Sequence, residues 1–591
     1  MEESIFECIL QQNYLIYELI KLLLPREFYR IIDCDEFHNL LSCNKRTKNT
    51  LSDVFLSIFV IPSSLLFNLK SKQKKVARTY IDNIPINVLE QIKNCNLKEI
   101  TFGTNFNQAI NTNVFPDSLL KLTFGSRFNQ PLSKGVLPNN LTYLNLGIDF
   151  NQTLHEGVLS NNLIHLEFSC SFNKIINKGV LPSNLTSLGL SYYFDHPLEQ
   201  GIFPNNLKRL YFGYCFNQSL SVGMLPNGLT HLEFGYCFNQ PLSVGMLPNW
   251  LTHLEFGHCF NQSLNNDILP KGLTHLEIHG NFDHPLNNNT LPNNLTHLAF
   301  TSGYKYFLKE VMLPTSLKYL EIGRLNGLQI SSEILPTNLT TLICCSSLDI
   351  CTNNAGLPNT LVHLKAEFKN PIINITFPNS ITDLTFGFYF NQRLSKGILP
   401  NNLTKLDFNY YFDQPIDEGV LPSSLTKLIF SSNFNQKLKK RSLPNNLKTL
   451  EFGYAFNKQI KGGILPNSLQ QLTFGYRFNQ YLRNRIIPDN LCELDFGHCF
   501  NQSLQKEVLP NNLSRIGFGN DFQQIFTEGV LPNSLTQLEF NCNYNMSLSK
   551  EVLPTNLNKL YFGTRIIDYP VIARDLSKYG YIEREQYTIK N

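Results

Sequence analysis

LTHLEFGYCFNQPLSVGMLPN, residues Leu229–Asn249, decides the reading of this chain. The block before it runs KRLYFGYCFNQSLSVGMLPN and the block after it opens LTHLEFGHCFNQSL, in the same phase. Prolines keep the beat: Pro116, Pro138, Pro182, Pro204, Pro226, Pro248, Pro270, Pro292, Pro314, Pro336 and Pro358 fall on one 22-residue period, with Ser160 at the one missed place. A single 20-residue step follows, and the period resumes from Pro378 to Pro554. A fixed period in the twenties is the mark of a solenoid.

Written from its first leucine, the unit is L-T-x-L-x-F-G-x-x-F-N-Q-x-L-x-x-G-x-L-P-x-N. The segment LTxLxF is short, rich in β-branched and aromatic residues and bounded by Asn and Gly, which predicts a strand. Its fourth and sixth places share a face. Gly then bends the chain at low steric cost, Phe-Asn turns a second corner, and Pro and Asn return it. One coil cannot bury its own leucines and phenylalanines, whereas stacked coils bury them in continuous columns. We count 22 strand blocks, from Leu97 to Leu557, which at strand spacing predicts a stack on the order of 100 Å long. The Asn after Phe recurs from Asn107 to Asn545, with Asp at Asp195, Asp283, Asp349 and Asp413. Such a row predicts partners for backbone groups stranded at the corner. Calcium would need more converging carboxylates than it offers.

F-N-Q-P-L framed by L-P-N-x-L-T-x-L-x-F-G resembles the FNIP repeat, a leucine-rich-repeat variant known from amoebae and the large viruses that infect them. The resemblance covers roughly residues 94–565 and recurs about twenty times. In the wider leucine-rich family, L-x-x-L-x-L-x-x-N lines a curved solenoid. Leu229, Leu232 and Phe234 take its first three apolar places here, and Asn239 falls two residues later than its asparagine.

The expected organisation follows. Residues 1–75 carry no FNQ, and Tyr14, Leu15, Leu19, Leu22 and Leu23 recur at helical steps. Pro25 ends or restarts that helix, and further helical stretches carry Phe37, Leu40, Leu41 and Cys43 and then Thr47–Val60. Leu24-Pro25-Arg26-Glu27-Phe28 and Leu40-Leu41-Ser42-Cys43-Asn44-Lys45 are similar to the two conserved clusters of an F-box, although the span between them is short for that family. A plain helical cap on the first coil is the alternative. Residues 76–96 lead into the solenoid, which occupies 97–562, is degenerate at 304–371, and is closed by a cap at 563–591. The fold class is thus a mainly β repeat solenoid, a leucine-rich-repeat-like stack of about 22 parallel strands, behind a small α-helical domain.

Composition narrows the function. The net charge is +4 with 16% charged residues, against the clustered basic footprint of a nucleic-acid binder. Fourteen cysteines lack paired spacing, the first residues lack the basic-then-apolar order of a signal peptide, and no apolar run approaches the length of a membrane span. These readings point to a reducing, cytoplasmic setting.

Within the strand, places three and five face outward together. They read His231/Glu233, His253/Glu255 and His275/Glu277, then His297. Zinc uses such groups and imidazoles titrate near neutrality, but recent duplication of one block copies surface residues without selecting a site, so no metal or cofactor is assigned. Cys215, Cys237 and Cys259 form a parallel column, expected as packed free thiols because stacked identical positions do not converge for a disulfide. No phosphate loop, nucleophile elbow or private acid–base pair is present, and the chain is not expected to be an enzyme. The resemblance implies a substrate receptor of a cullin–RING ubiquitin ligase. In that reading Leu19, Leu23, Pro25, Phe28, Leu40 and Leu41 contact a Skp-type adaptor, and the outward places His231–His297 contact a target protein. A stand-alone repeat scaffold is the alternative, and a polysaccharide-active enzyme on a parallel coil a distant third.

Overall fold

The computed structural model describes residues 96–568, apart from short breaks at 266, 287–289, 305–312, 324–329, 332–333, 350–355, 369–370, 547, 549–550 and 564, together with 60–62, 78–81 and residue 93. By compactness the chain divides into two units, residues 1–165 and 166–591.

In the first unit the strands Val60–Pro62, Arg78–Ile81, Glu99–Phe102, Lys121–Thr123 and Tyr143–Asn145 pair in parallel in that order. The ladder therefore begins before the repeat signature does. The cause is that backbone pairing asks only for extended chain, whereas the signature reports the side chains that fill the core. From the third strand on, Ile100, Leu122 and Leu144 lie in register and are fully buried. Phe106, Phe128 and Phe150 stack at 6.0 and 6.1 Å.

In the second unit, strands recur every 22 residues, with one step of 20 between His363 and Asp383, from Ser187–Gly189 and Arg209–Tyr211 to Lys559–Phe562. Neighbours pair in parallel with identical repeat places opposite each other, as in Leu210, Leu232, Leu254 and Leu276. The apolar places are buried and those between them half-buried. At the end Arg565–Asp568 folds back antiparallel on Lys559–Phe562. The 20-residue step costs no register: His363 opposes Asp383 and Leu364 opposes Leu384. The shortening is taken up between strands, where a 3-10 turn spans Ile372–Asn374. The degenerate stretch keeps the ladder as well, through Tyr319–Ile322 and the nine-residue strand Thr341–Asp349. Besides Tyr319–Ile322 and His363–Glu367, that strand gains a third partner in Ile330–Ser331.

Both corners repeat one hydrogen bond. The Pro carbonyl accepts the N–H of the Leu three residues on, 3.1 Å at Pro226–Leu229 and 3.0 Å at Pro248–Leu251. Ser160 keeps this bond at 3.1 Å to Leu163, and its hydroxyl donates to the Asn139 carbonyl at 2.6 Å. At the second corner Phe238 N–H donates to Gly235 O at 3.3 Å. The glycine after the strand serves a purpose other than the bend expected of it. A Cβ on Gly257 would stand 2.1 Å from Gly235 O, and one on Gly235 would stand 1.8 Å from Gly213 O. These are glycines of close approach, and they set how tightly successive coils nest. The later glycine of the unit has the conformational role, as Gly245 at φ 84° shows.

The asparagine row does what its position predicts. Asn239 Oδ1 accepts the backbone N–H of Asn261 at 2.9 Å and the Gln262 amide at 3.0 Å, and Asn217 Oδ1 does the same for Asn239 and Gln240. Asp195 substitutes directly, accepting from Asn217 N–H at 2.9 Å. The row lies at a half-exposed edge, and the glutamine of F-N-Q is part of the ladder.

A candidate binding face on the outward strand places

Because strands pair place for place, each outward residue lies beside its copy one coil away. His231, His253, His275 and His297 oppose one another in turn. Their rings stack at 4.1, 4.1 and 5.3 Å, and Tyr319 continues the file 4.0 Å beyond His297. Glu233, Glu255 and Glu277 form the adjoining file. The structure thus gathers all seven outward residues named from the sequence on one half-buried face. The adaptor-contact residues Leu19, Leu23, Pro25, Phe28, Leu40 and Leu41 lie outside the described residues.

Threonine sets the imidazole orientation. Thr230, Thr252 and Thr274 each donate their hydroxyl to a carbonyl of the preceding coil at 3.0 Å and lie 2.9 Å from Nδ1 of the following histidine. The single hydroxyl proton is committed to the carbonyl, so Nδ1–H donates to the threonine oxygen. Nε2 of His231, His253 and His275 is then the acceptor nitrogen.

Crowding makes this file reluctant to take up protons. Burial, reinforced by His275, His231, Arg209 and His297, lowers the His253 pKa to about 4. His231 is lowered by burial and Arg209, and His275 by burial and His297. Burial and the neighbouring Glu255 raise Glu233. At the end of the face the sign reverses: the hydrogen bond from His297 lowers Glu277, and the hydrogen bond to Glu255 raises His279.

His279 was not among the residues singled out from the sequence. It stands where the repeat places glycine, as at Gly235 and Gly257, and reaches back over the strands. Its Nε2 lies 2.7 Å from Glu255 Oε1 and 3.8 Å from Glu277 Oε2, and its Nδ1 is 2.9 Å from the Thr301 hydroxyl. His297 Nε2 lies 3.2 Å from Glu277 Oε1. The signal was available in LTHLEIHG, where a histidine breaks the LTHLEFG pattern. Among the described residues two groups bring three ligand-type atoms within 4.8 Å of one another: Glu255, Glu277 and His279, and His498, Cys499 and Asp521.

Elsewhere in the second unit the outward places carry ion pairs. Arg515 bridges Asp495 at 2.7 Å and Glu539 at 2.8 Å on the strands either side. Lys405 pairs with Asp383 at 2.9 Å and Lys427 with Glu451 at 2.7 Å. At the adjoining corner Tyr192, Tyr214 and Tyr236 form an exposed file stacked at 4.4 and 4.5 Å. Cys215 and Cys237 are half-buried free thiols as expected, while Cys259 is exposed rather than packed. Among the described residues no helix is long and apolar enough to cross a membrane.

The FNIP Repeat family model matches in overlapping segments that together span residues 92–325 and 368–543. The crystal structure of CroV588, described as a novel circular LRR protein, is 36% identical over 83% of this chain and 85% of that one, with a TM-score of 0.59. The mouse RP105/MD-1 complex matches at 16% identity over 79% of this chain and 86% of that one, with a TM-score of 0.49. An internalin (inlF) from Listeria monocytogenes matches at 18% identity over 52% and 90%, with a TM-score of 0.35. No curated protein matches the sequence. With the recurring F-N-Q corner, the 22-residue ladder and a family match over most of its length, the chain belongs to the FNIP-repeat family, built as a leucine-rich-repeat-like parallel β-solenoid.

Proposed function

We propose that the chain is a protein-binding scaffold that holds a target protein on the outward strand places around His231, Glu233, His253, Glu255, His275, Glu277 and His297, while residues 1–75 dock on a Skp-type adaptor of a cullin–RING ubiquitin ligase. The observation that carries the first half is the in-register file of polar and aromatic side chains on a rigid ladder. Side chains held by their neighbours lose little freedom when a partner binds them. The second half rests on the F-box-like clusters at Leu24–Phe28 and Leu40–Lys45. Together they make the chain a receptor that raises the concentration of a target beside the ligase.

Co-purification from cells tests both halves. The full chain is expected to bring down the adaptor, and a chain lacking residues 1–65 is expected to lose it while keeping the target. Replacing His253 and Glu255 with alanine is expected to lose the target and keep the adaptor. Adaptor recovery that survives the deletion overturns the docking role of residues 1–75, and no adaptor with the full chain removes the ubiquitin link and leaves a stand-alone scaffold.

A further inference from the structure

We propose that Glu255, Glu277 and His279 bind one zinc ion, with His297 as the positioning residue that orients Glu277. The three side chains offer one imidazole nitrogen and two carboxylate oxygens within 4.8 Å of one another. Around tetrahedral zinc, bonds of about 2.0–2.1 Å place neighbouring ligand atoms roughly 3.3 Å apart. The separations of 2.7 Å from His279 Nε2 to Glu255 and 3.8 Å to Glu277 bracket that value. Rotation of the glutamate side chains, both half-buried at the surface of the sheet, adjusts them to it.

Duplication explains the glutamates, since three successive blocks repeat one at Glu233, Glu255 and Glu277, but it does not explain His279. This residue occupies the place of Gly235 and Gly257, and its ring closes over the glutamate file alone among its copies there. The surroundings are those of a metal-bound imidazole, whose second nitrogen is held by a hydrogen-bonding partner. Thr301 Oγ1 lies 2.9 Å from Nδ1, and its own hydroxyl points to the His279 carbonyl at 3.4 Å, so Nδ1–H donates and Nε2 faces the carboxylates. His297 holds Glu277 from the other side at 3.2 Å. Without metal, a proton bridges Nε2 and Glu255 Oε1 across their 2.7 Å contact. Zinc entry forms the Zn–Nε2 bond and releases that proton to solvent. One nitrogen and two oxygens suit zinc and fall short of the six to eight oxygens that calcium takes. With three protein ligands, the fourth position stays open to water or to a side chain of a bound partner.

Calorimetric titration of metal-stripped full chain with zinc chloride, in two buffers of different ionisation heat, tests the site. One zinc per chain at this site is expected, with release of the proton that bridges Nε2 and Glu255. His279→Gly restores the residue of the neighbouring coils and is expected to weaken binding at least tenfold, as is Glu277→Gln. Because His498, Cys499 and Asp521 form the other cluster, His498→Ala serves as control and is expected to leave the zinc in place. No binding by the wild type, binding unchanged by His279→Gly, or binding lost in His498→Ala alone each overturns the proposal. Cobalt substitution adds a second readout: visible bands without a thiolate charge-transfer band fit the Glu/His set, and a thiolate band moves the metal to Cys499.

Discussion

Single side chains set the distance between coils. Gly257→Ala would push a methyl to 2.1 Å from Gly235 O, a clash with main chain that no rotamer relieves. We expect a local loss of about 2–3 kcal/mol, in the range of overpacked interiors. It should be read as lost hydrogen-exchange protection around the strands 231–233 and 253–256, while Gly356→Ala, with nothing within 4 Å, leaves protection unchanged. Asn239→Ala removes the acceptor for Asn261 N–H and Gln262 and is expected to cost about 1–2 kcal/mol by the same measurement. Asn239→Asp is expected to be tolerated, because Asp195 already makes the equivalent bond. The asparagine row was legible because a recurring amide at a corner has few other reasons to recur. The glycine row was legible as a row only, since sequence spacing shows that a side chain is excluded but not which backbone excludes it. His279 was missed because attention to the repeating pattern hides the residue that leaves it.

At the level of the strand and its neighbours, stacking gives the histidine file a common response to acid. His231, His253 and His275 bind protons less readily folded than unfolded. The stability they contribute is therefore complete above the ordinary histidine pKa of about 6.5 and drains as the pH falls towards 4, because the unfolded chain takes up the protons first. His279 runs the other way: its pairing with Glu255 is present below the ordinary value and is lost as the pH rises through its raised one. His253→Gln is expected to flatten the decline in local stability between about pH 6.5 and 4, checked by comparing denaturation of wild type and variant across that window. An unchanged slope would mean that the stack is not the sensor. The in-register files were legible from the period alone, since parallel pairing at a constant interval leaves copies no other neighbours. Their tautomers and depressed titration were not, because both depend on the Thr hydroxyl and on ring contacts at 4.1 Å.

Within the second unit, each coil meets mainly the coils before and after it, so stability accumulates by neighbours. Removing residues 239–260, one full period, rejoins Phe238 to Asn261 and restores the F-N corner. This variant is expected to keep its β signature and unfold at nearly the wild-type denaturant concentration. Removing half of that span is expected to break the ladder, seen as lost far-ultraviolet signal. The period made this architecture legible, whereas Arg78–Ile81 and Val60–Pro62 were not recognised, because the sequence around these paired strands lacks the leucine signature.

The short coil between Leu364 and Leu384 carries a last implication. Its strand register survives the loss of two residues, and the slack is absorbed beside Ile372–Asn374. The carboxylate of Glu367 accepts the Tyr389 N–H there at 2.7 Å, in place of the backbone carbonyl that Tyr214 offers Cys237 at the same position of its coil. Strand and core thus act as a ruler, while the far arc of each loop works as a hem that can be taken in or let out. An engineer wishing to graft an epitope or a fluorophore tether into this protein would cut at that hem, and the grain of the fabric on the opposite side would not pucker.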